Sequence, residues 1–164
     1  PFRPASPTTP RSTPTAHPAP APHPTGSAVG KPTIAWTSVV RHLDAVRAAA
    51  LVRRDTTSLS GVYTTGAAAL VDDANTINVL VSKGFRVSGA AHRVVAAKLL
   101  TTAAASQGSA DTFRLAVTDS LPSYRVFGAN GAVVGSTTAR ASATRVLELV
   151  KTMGGYRIAA VGSG

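Results

Sequence analysis

From residue 34 onward the apolar positions recur every three or four residues. In "IAWTSVVRHLDAVRAAALVRR" (34 to 54), Trp36, Val40, Leu43, Arg47, Ala50 and Leu51 fall on one side and Arg41, Asp44 and Arg53 on the other, which predicts an amphipathic helix. A short second helix is expected in "DTTSLSGVY", where Asp55 and Thr57 can cap it and Leu59 and Val62 turn inward before Gly61 and Gly66 break it. A third is expected in "AAALVDDANTINVLVSKG", with a stripe of Leu70, Val71, Ala74, Ile77, Leu80 and Val81 and with Gly84 as its stop. After Gly84 the period changes to two. It does so in five runs, "FRVSGAAHRVVAAKLLTTAAAS", "ADTFRLAVTDS", "SYRVFG", "AVVGSTTARASATRVLELVKT" and "YRIAAVG", joined by turn chemistry in which Asn130-Gly131 and Gly154-Gly155 are the best hairpin signals. Helices first and strands afterwards predict an α+β domain: two to three N-terminal helices packed on a curved antiparallel sheet of about five strands, cone-like in outline.

Composition limits this reading to residues 33 to 164. Ten of the eleven prolines lie in residues 1 to 32, a Pro/Thr/Ala-rich segment with almost no large apolar side chain, so it cannot bury enough surface to offset the entropy of ordering. It is expected to be a disordered stalk with polyproline II bias. Such a stalk in front of a compact domain is what stands between a membrane anchor or signal sequence and an exported domain. The expectation is therefore an extracytoplasmic protein, membrane-anchored or secreted, whose anchor lies upstream of this chain. No apolar run approaches a membrane span. Arginine outnumbers lysine thirteen to four and Ala and Val are abundant, a composition expected of a GC-rich, actinobacterial type of genome.

Charge adds a class of partner. The stalk carries Arg3, Arg11 and Lys31, and the domain carries fourteen basic against seven acidic residues, about +7. An envelope protein, or an anionic envelope polymer or lipid, is the expected partner, because the Coulomb attraction does not depend on which polyanion supplies the charge. A dedicated nucleic-acid reader is disfavoured: the basic residues are scattered over every element, no basic run exceeds two, and no aromatic platform is interleaved with them.

The element order resembles the nuclear transport factor 2-like (cone-shaped α+β) superfamily. The resemblance rests on the long helix carrying Trp36, the short helix ending at "GVYTTG", the helix "ALVDDANTINVLVSKG" and the sheet that follows. Within it, "LDAVRAAALVRRDTTSLSGVYTTGAAALVDDANTINVLVSKGFRVSG" followed by "VTDSLPSY" resembles exported Pro-stalk domains of actinobacteria. The resemblance implies a cavity between helices and sheet. In the enzymatic members, isomerases, cyclases and dehydratases, such a cavity holds an Asp or His base with a Tyr or Asp hydrogen-bond donor. The positions that could supply this chemistry are Asp72, Asp73, His92, Asp119, Tyr124, Tyr63 and Trp36.

Each has a structural explanation as well. Asp72 and Asp73 are adjacent on a helix, so at most one faces the core, and ion pairing with a nearby Arg accounts for it. His92 shares a strand parity with Val94 and reads as an interior or rim histidine. Asp119 closes the apolar row Phe113, Leu115, Val117, where Pro122 stops the strand; an Asx-type turn with the N–H of Leu121 or Ser123 accounts for it, and Tyr124 opens the next strand. The Asp119/Tyr124 pair is the first site candidate, with Asp72 and Tyr63 behind it. No cofactor is expected, because the glycines of "GANGAVVG" lack the strand-to-helix context of a phosphate cradle, and no metal is expected, because the four histidines show no ligand spacing. No Ser sits in a nucleophile elbow. The leading expectation is a non-enzymatic binding or scaffolding domain at the cell envelope; the alternative is an isomerase- or cyclase-like enzyme using an Asp/Tyr pair. A strand such as 140 to 151, apolar on both parities (Val146, Leu147, Leu149, Val150), implies a homodimer through the sheet.

Overall fold

The computed structural model describes residues 33 to 104 and 110 to 163, so the expected stalk lies outside the described residues. The element order is α1 (Trp36–Arg53), a 3-10 helix (Thr57–Gly61), α2 (Ala68–Ser82), then β1 (Arg86–Ser88), β2 (Arg93–Ala103), β3 (Thr112–Leu121), β4 (Tyr124–Phe127), β5 (Val133–Thr137), β6 (Arg140–Thr152) and β7 (Gly155–Ser163). The fold is α+β, as the segregation of periods predicts. The strand count differs from the sequence reading, with seven strands among the described residues, in two antiparallel sheets ordered β1-β4-β5 and β2-β3-β6-β7. Two of the five period-2 runs each hold two strands. Gly89, at φ 81°, breaks the first run between β1 and β2, and the fourth breaks at residues 138 and 139, between β5 and β6. In both cases the chain changes sheets, which alternation alone does not signal.

The large sheet presents one apolar face to the helices. Across β3 and β6, Phe113 faces Leu149 and Leu115 faces Leu147, with Leu115 and Leu149 fully buried. Helix α1 adds Val40, Leu43, Ala50 and Leu51, the 3-10 helix adds Leu59, and α2 adds Ile77 and Leu80. Register shifts after Val94, Leu99 and Asp119, and between Glu148 and Leu149, mark bulges, each of which locally bends and twists its strand. Val95 and Leu100 are the residues without a cross-strand partner at two of these bulges, and both are exposed.

Helix α2 is rotated relative to the expected stripe. Its buried positions are Asp73, Ile77 and Leu80, while Val71 and Val81 are exposed. One end of the space between helices and sheet is closed by rings: Trp36 and Phe113 lie 4.9 Å apart by centroid, and Tyr156 meets both edge-on at 5.2 and 5.6 Å.

Part of the polar side of α1 meets the sheet as well as water: Arg41 and Arg53 are exposed and Asp44 is half-buried. Strand β2 is an edge strand, and its free backbone groups are met by helix side chains one and two turns apart. Thr37 Oγ1 accepts from Ala97 N–H at 3.0 Å, Arg41 donates twice to the Val94 carbonyl at 3.0 and 3.1 Å, and Asp44 Oδ2 accepts from His92 N–H at 2.8 Å. Three side chains at helical spacing thus stand where a neighbouring strand would. On the opposite edge, β7 pairs for one step with the chain after the 3-10 helix: Ile158 N–H donates to the Val62 carbonyl and Thr64 N–H to the Ile158 carbonyl.

Candidate functional site

The end of the core away from the aromatic cluster is not filled. There an open cavity of about 530 Å³ lies between α1, α2 and the inner face of the large sheet. Val40 and Leu43 of α1, Val117 of β3, Leu147 of β6 and Ile158 of β7 make its apolar walls. Its polar lining comes in two groups.

The first joins the helices. Arg47 grips Asp73 bidentately, Nε to Oδ2 at 2.6 Å and Nη2 to Oδ1 at 2.7 Å, and the Tyr63 hydroxyl donates to the same Oδ2 at 2.6 Å. Asp73 is buried, so every one of these bonds is needed to hold its charge inside. Burial lowers the Arg47 guanidinium pKa, but the paired Asp73 more than reverses this and holds it above its ordinary value. Burial, and then the bond to Asp73, push the Tyr63 phenol well above its ordinary range. Tyr63 therefore keeps its proton and directs it at Asp73 in that hydrogen bond, so it has no hydroxyl hydrogen to offer a ligand.

The second group joins α1 to the sheet. Asp119, 3% exposed, lies within β3 and accepts from Arg140 Nη2 at 2.7 Å and from Arg145 Nη2. Burial raises its pKa, but the hydrogen bonds from Arg140 and Arg145, with the Arg145 charge, outweigh that and hold the carboxyl below its ordinary value. The His92 ring sits between two carboxylates: Nδ1 is 3.1 Å from Asp44 Oδ1 and 3.5 Å from Asp119 Oδ2. Carboxylates accept, so Nδ1 carries a hydrogen that points toward them.

The structure therefore divides the sequence candidates. Asp72, Asp73, Tyr63, His92 and Asp119 all line the cavity; Tyr124 does not, because it opens β4 in the three-stranded sheet. The expected Asp119/Tyr124 pair is thus not assembled around the cavity. Nor is Asp119 the cap of an Asx turn, since its oxygens are taken by arginines 21 and 26 residues further along. Trp36 belongs to the aromatic end. Asp44, Arg47, Arg140 and Arg145 were not among the candidates. Two of them gave a signal: Arg47 stands in the apolar stripe of α1, and Arg145 is a cation on the inward parity of β6 opposite Val117. Among the described residues no three His, Asp or Glu side chains stand close enough together to hold a metal ion.

Comparison with known proteins supports the architecture. No protein-family model matches the chain, and no curated protein matches it in sequence. Among solved structures, the intermembrane space region of the chloroplast protein ARC6 superposes with a TM-score of 0.50 at 11% identity, over 82% of this chain and 100% of that one. The two share a fold. Aln2 from a Streptomyces species superposes at 0.45 with 16% identity, over 80% of this chain and 90% of its own. A nuclear transport factor 2-like superfamily protein from Salmonella enterica serovar Typhimurium superposes at 0.42 with 13% identity, over 78% and 91%. No helix among the described residues is long and apolar enough to cross a membrane.

Proposed function

We propose that this domain binds a small amphipathic molecule without transforming it, and that it does so outside the cytoplasm, tethered at a cell envelope by its Pro-rich N-terminal segment. The observation that carries the binding reading is the cavity: about 530 Å³, open, walled by aliphatic side chains, and within the size range of small-molecule sites. The polar groups around it are mostly bonded to one another. That suits orienting a guest more than exchanging protons with it, because Asp119 is held ionised by two arginines and Tyr63 is held protonated. The excess of basic residues outside the cavity supports contact with anionic lipid or envelope polymer.

Binding is tested with a neutral fluorophore, N-phenyl-1-naphthylamine, whose emission rises in apolar surroundings. The protein is expected to enhance it saturably, and Val117→Phe, which adds a ring to the cavity wall, is expected to abolish the enhancement while circular dichroism stays unchanged. No enhancement by the parent protein would remove the binding reading. The envelope location is tested by adding protease to intact cells that express the full-length protein: a domain outside the membrane is degraded, a cytoplasmic one is spared.

One observation favours a second, enzymatic reading of the isomerase or cyclase kind. His92, steadied by Asp44, has the arrangement of an oriented general base, and it displaces Asp119 and Asp72 from that role. Catalysed exchange of the α-hydrogens of a cyclic ketone in D2O, lost in His92→Gln, would establish it. Absence of exchange leaves binding alone.

A homodimer through the large sheet completes the proposal. Val146 and Val150 lie half-buried on its outer face, opposite Ala116 and Thr112.

A further inference from the structure

The chain has only seven acidic residues against seventeen lysines and arginines, and the acids are not spread evenly. Four of the seven, Asp44, Asp72, Asp73 and Asp119, line the cavity described above, together with just two of the fourteen lysines and arginines among the described residues, Arg47 and Arg145. A protein that is strongly basic overall has concentrated its carboxylates around its ligand space.

Pairing does not cancel them. Asp73 is matched by Arg47, and Asp119 is matched by Arg140 and Arg145 together. Asp44 and Asp72 make no bond to an arginine or lysine among the described residues. Asp44 is the more enclosed of the two: its side chain is only 10% exposed, and its partners are the backbone N–H and the ring of His92. Counting Arg140, which reaches Asp119 from outside the lining, four carboxylates stand against three guanidiniums, an excess of one negative charge. A carboxylate in that setting is stabilised by a cation that enters from solution.

We infer that the cavity takes an amphipathic amine, its alkyl or ring body against Val40, Leu43, Val117 and Leu147 and its ammonium group at Asp44. This deepens the binding reading and rests on it. A carboxylate head would meet Asp44 and Asp119 in the same small volume, and a hydroxyl head would leave the excess charge as it is. The outer surface works in the opposite sense, since a basic exterior attracts anions and repels amines. Preference for an amine therefore reports on the cavity and not on adsorption to the surface.

The test is displacement of N-phenyl-1-naphthylamine at pH 7.5 by three probes of equal chain length, decylammonium, decanol and decanoate. Decylammonium is expected to displace the fluorophore at about one-tenth the concentration of decanol, a difference that one charge pair in a partly desolvated site readily gives, with decanoate weakest. Asp44→Asn, which keeps an acceptor for the His92 N–H, is expected to remove the advantage of the amine and leave decanol unchanged. Should that variant fail to fold, Asp72→Asn on the exposed face of α2 is expected to reduce the advantage by a smaller factor. If decanol or decanoate displaces the fluorophore as well as the amine does, the head-group inference is overturned while the cavity reading stands. If the fluorophore itself does not bind, it is the cavity reading that fails.

Discussion

Asp73 and Asp119 are the two buried carboxylates of the described structure, and both are held by arginines that reach them from another element. Removing one charge of a buried pair costs more than the pair contributes, because the partner is left desolvated and unmatched. Asp73→Asn is accordingly expected to destabilise the fold by about 2 to 3 kcal/mol in urea titration, somewhat less than a fully buried pair because Arg47 keeps 22% of its side chain exposed. Tyr63→Phe deletes one hydrogen bond to the same carboxylate and is expected to cost about 1 kcal/mol. The pH dependence follows from Asp119. Its carboxyl is held below the ordinary value, so its contribution to stability is fully present above the unfolded-state value of about 3.9 and is lost as pH falls through the folded-state one. The surface residue Asp55, held at about 2 by bonds from Ser58 and Thr57, acts in the same sense and the same acidic window. Between pH 5 and 2 the melting temperature is expected to fall less steeply for Asp119→Asn than for the parent protein, although the variant starts lower at pH 7; parallel slopes would show that the arginine bonds do not govern acid stability.

At the scale of elements, α1 has two partners, the core on one side and the edge of β2 on the other. Thr37→Val removes the acceptor for the Ala97 N–H, and amide exchange at Ala97 is expected to quicken while that of Leu115, deep in β3, does not change. The amphipathic pattern of α1 was legible because core contacts are made by side chains, and side-chain polarity is what a sequence displays. The contact with β2 was not legible, because its other half is backbone: Arg41 and Asp44 read as a solvated face when what they meet is a carbonyl and an N–H. The same limit explains the site. The parity of β3 placed Asp119 on the apolar row, but nothing local in the sequence shows that Arg140 and Arg145 return beside it once β4 and β5 have left for the other sheet. Asp119 and Tyr124 are neighbours in sequence whose strands diverge, so proximity along the chain misled where the change of sheet decided. The hairpin signals succeeded for the converse reason: the positive φ of Gly131 and Gly155 is a local demand that the residue type itself reveals.

For the whole molecule, the cavity and the outer face of the large sheet make separate predictions. A ligand that binds only the folded state at one hundred times its dissociation constant adds about 2.7 kcal/mol of stability, so a saturating occupant is expected to raise the melting temperature by several degrees. Pairing of two copies through the sheet is expected to double the sedimenting mass at high concentration, with Val150→Arg restoring the monomer. A mass that stays monomeric at millimolar protein would dismiss the dimer.

The way α1 seals β2 also bears on the order in which the structure can form. The backbone groups at Val94 and Ala97 of β2 have only water as partner until the helix docks, and the residue through which Asp44 meets the start of the strand, His92, is one that faces the cavity. Docking of the helix, protection of part of that edge and closure of the cavity wall are therefore coupled. An intermediate without a docked α1 has no pocket and offers its free strand to any neighbouring chain, so a ligand that favours the finished pocket also shortens the time the chain spends in its most aggregation-prone form.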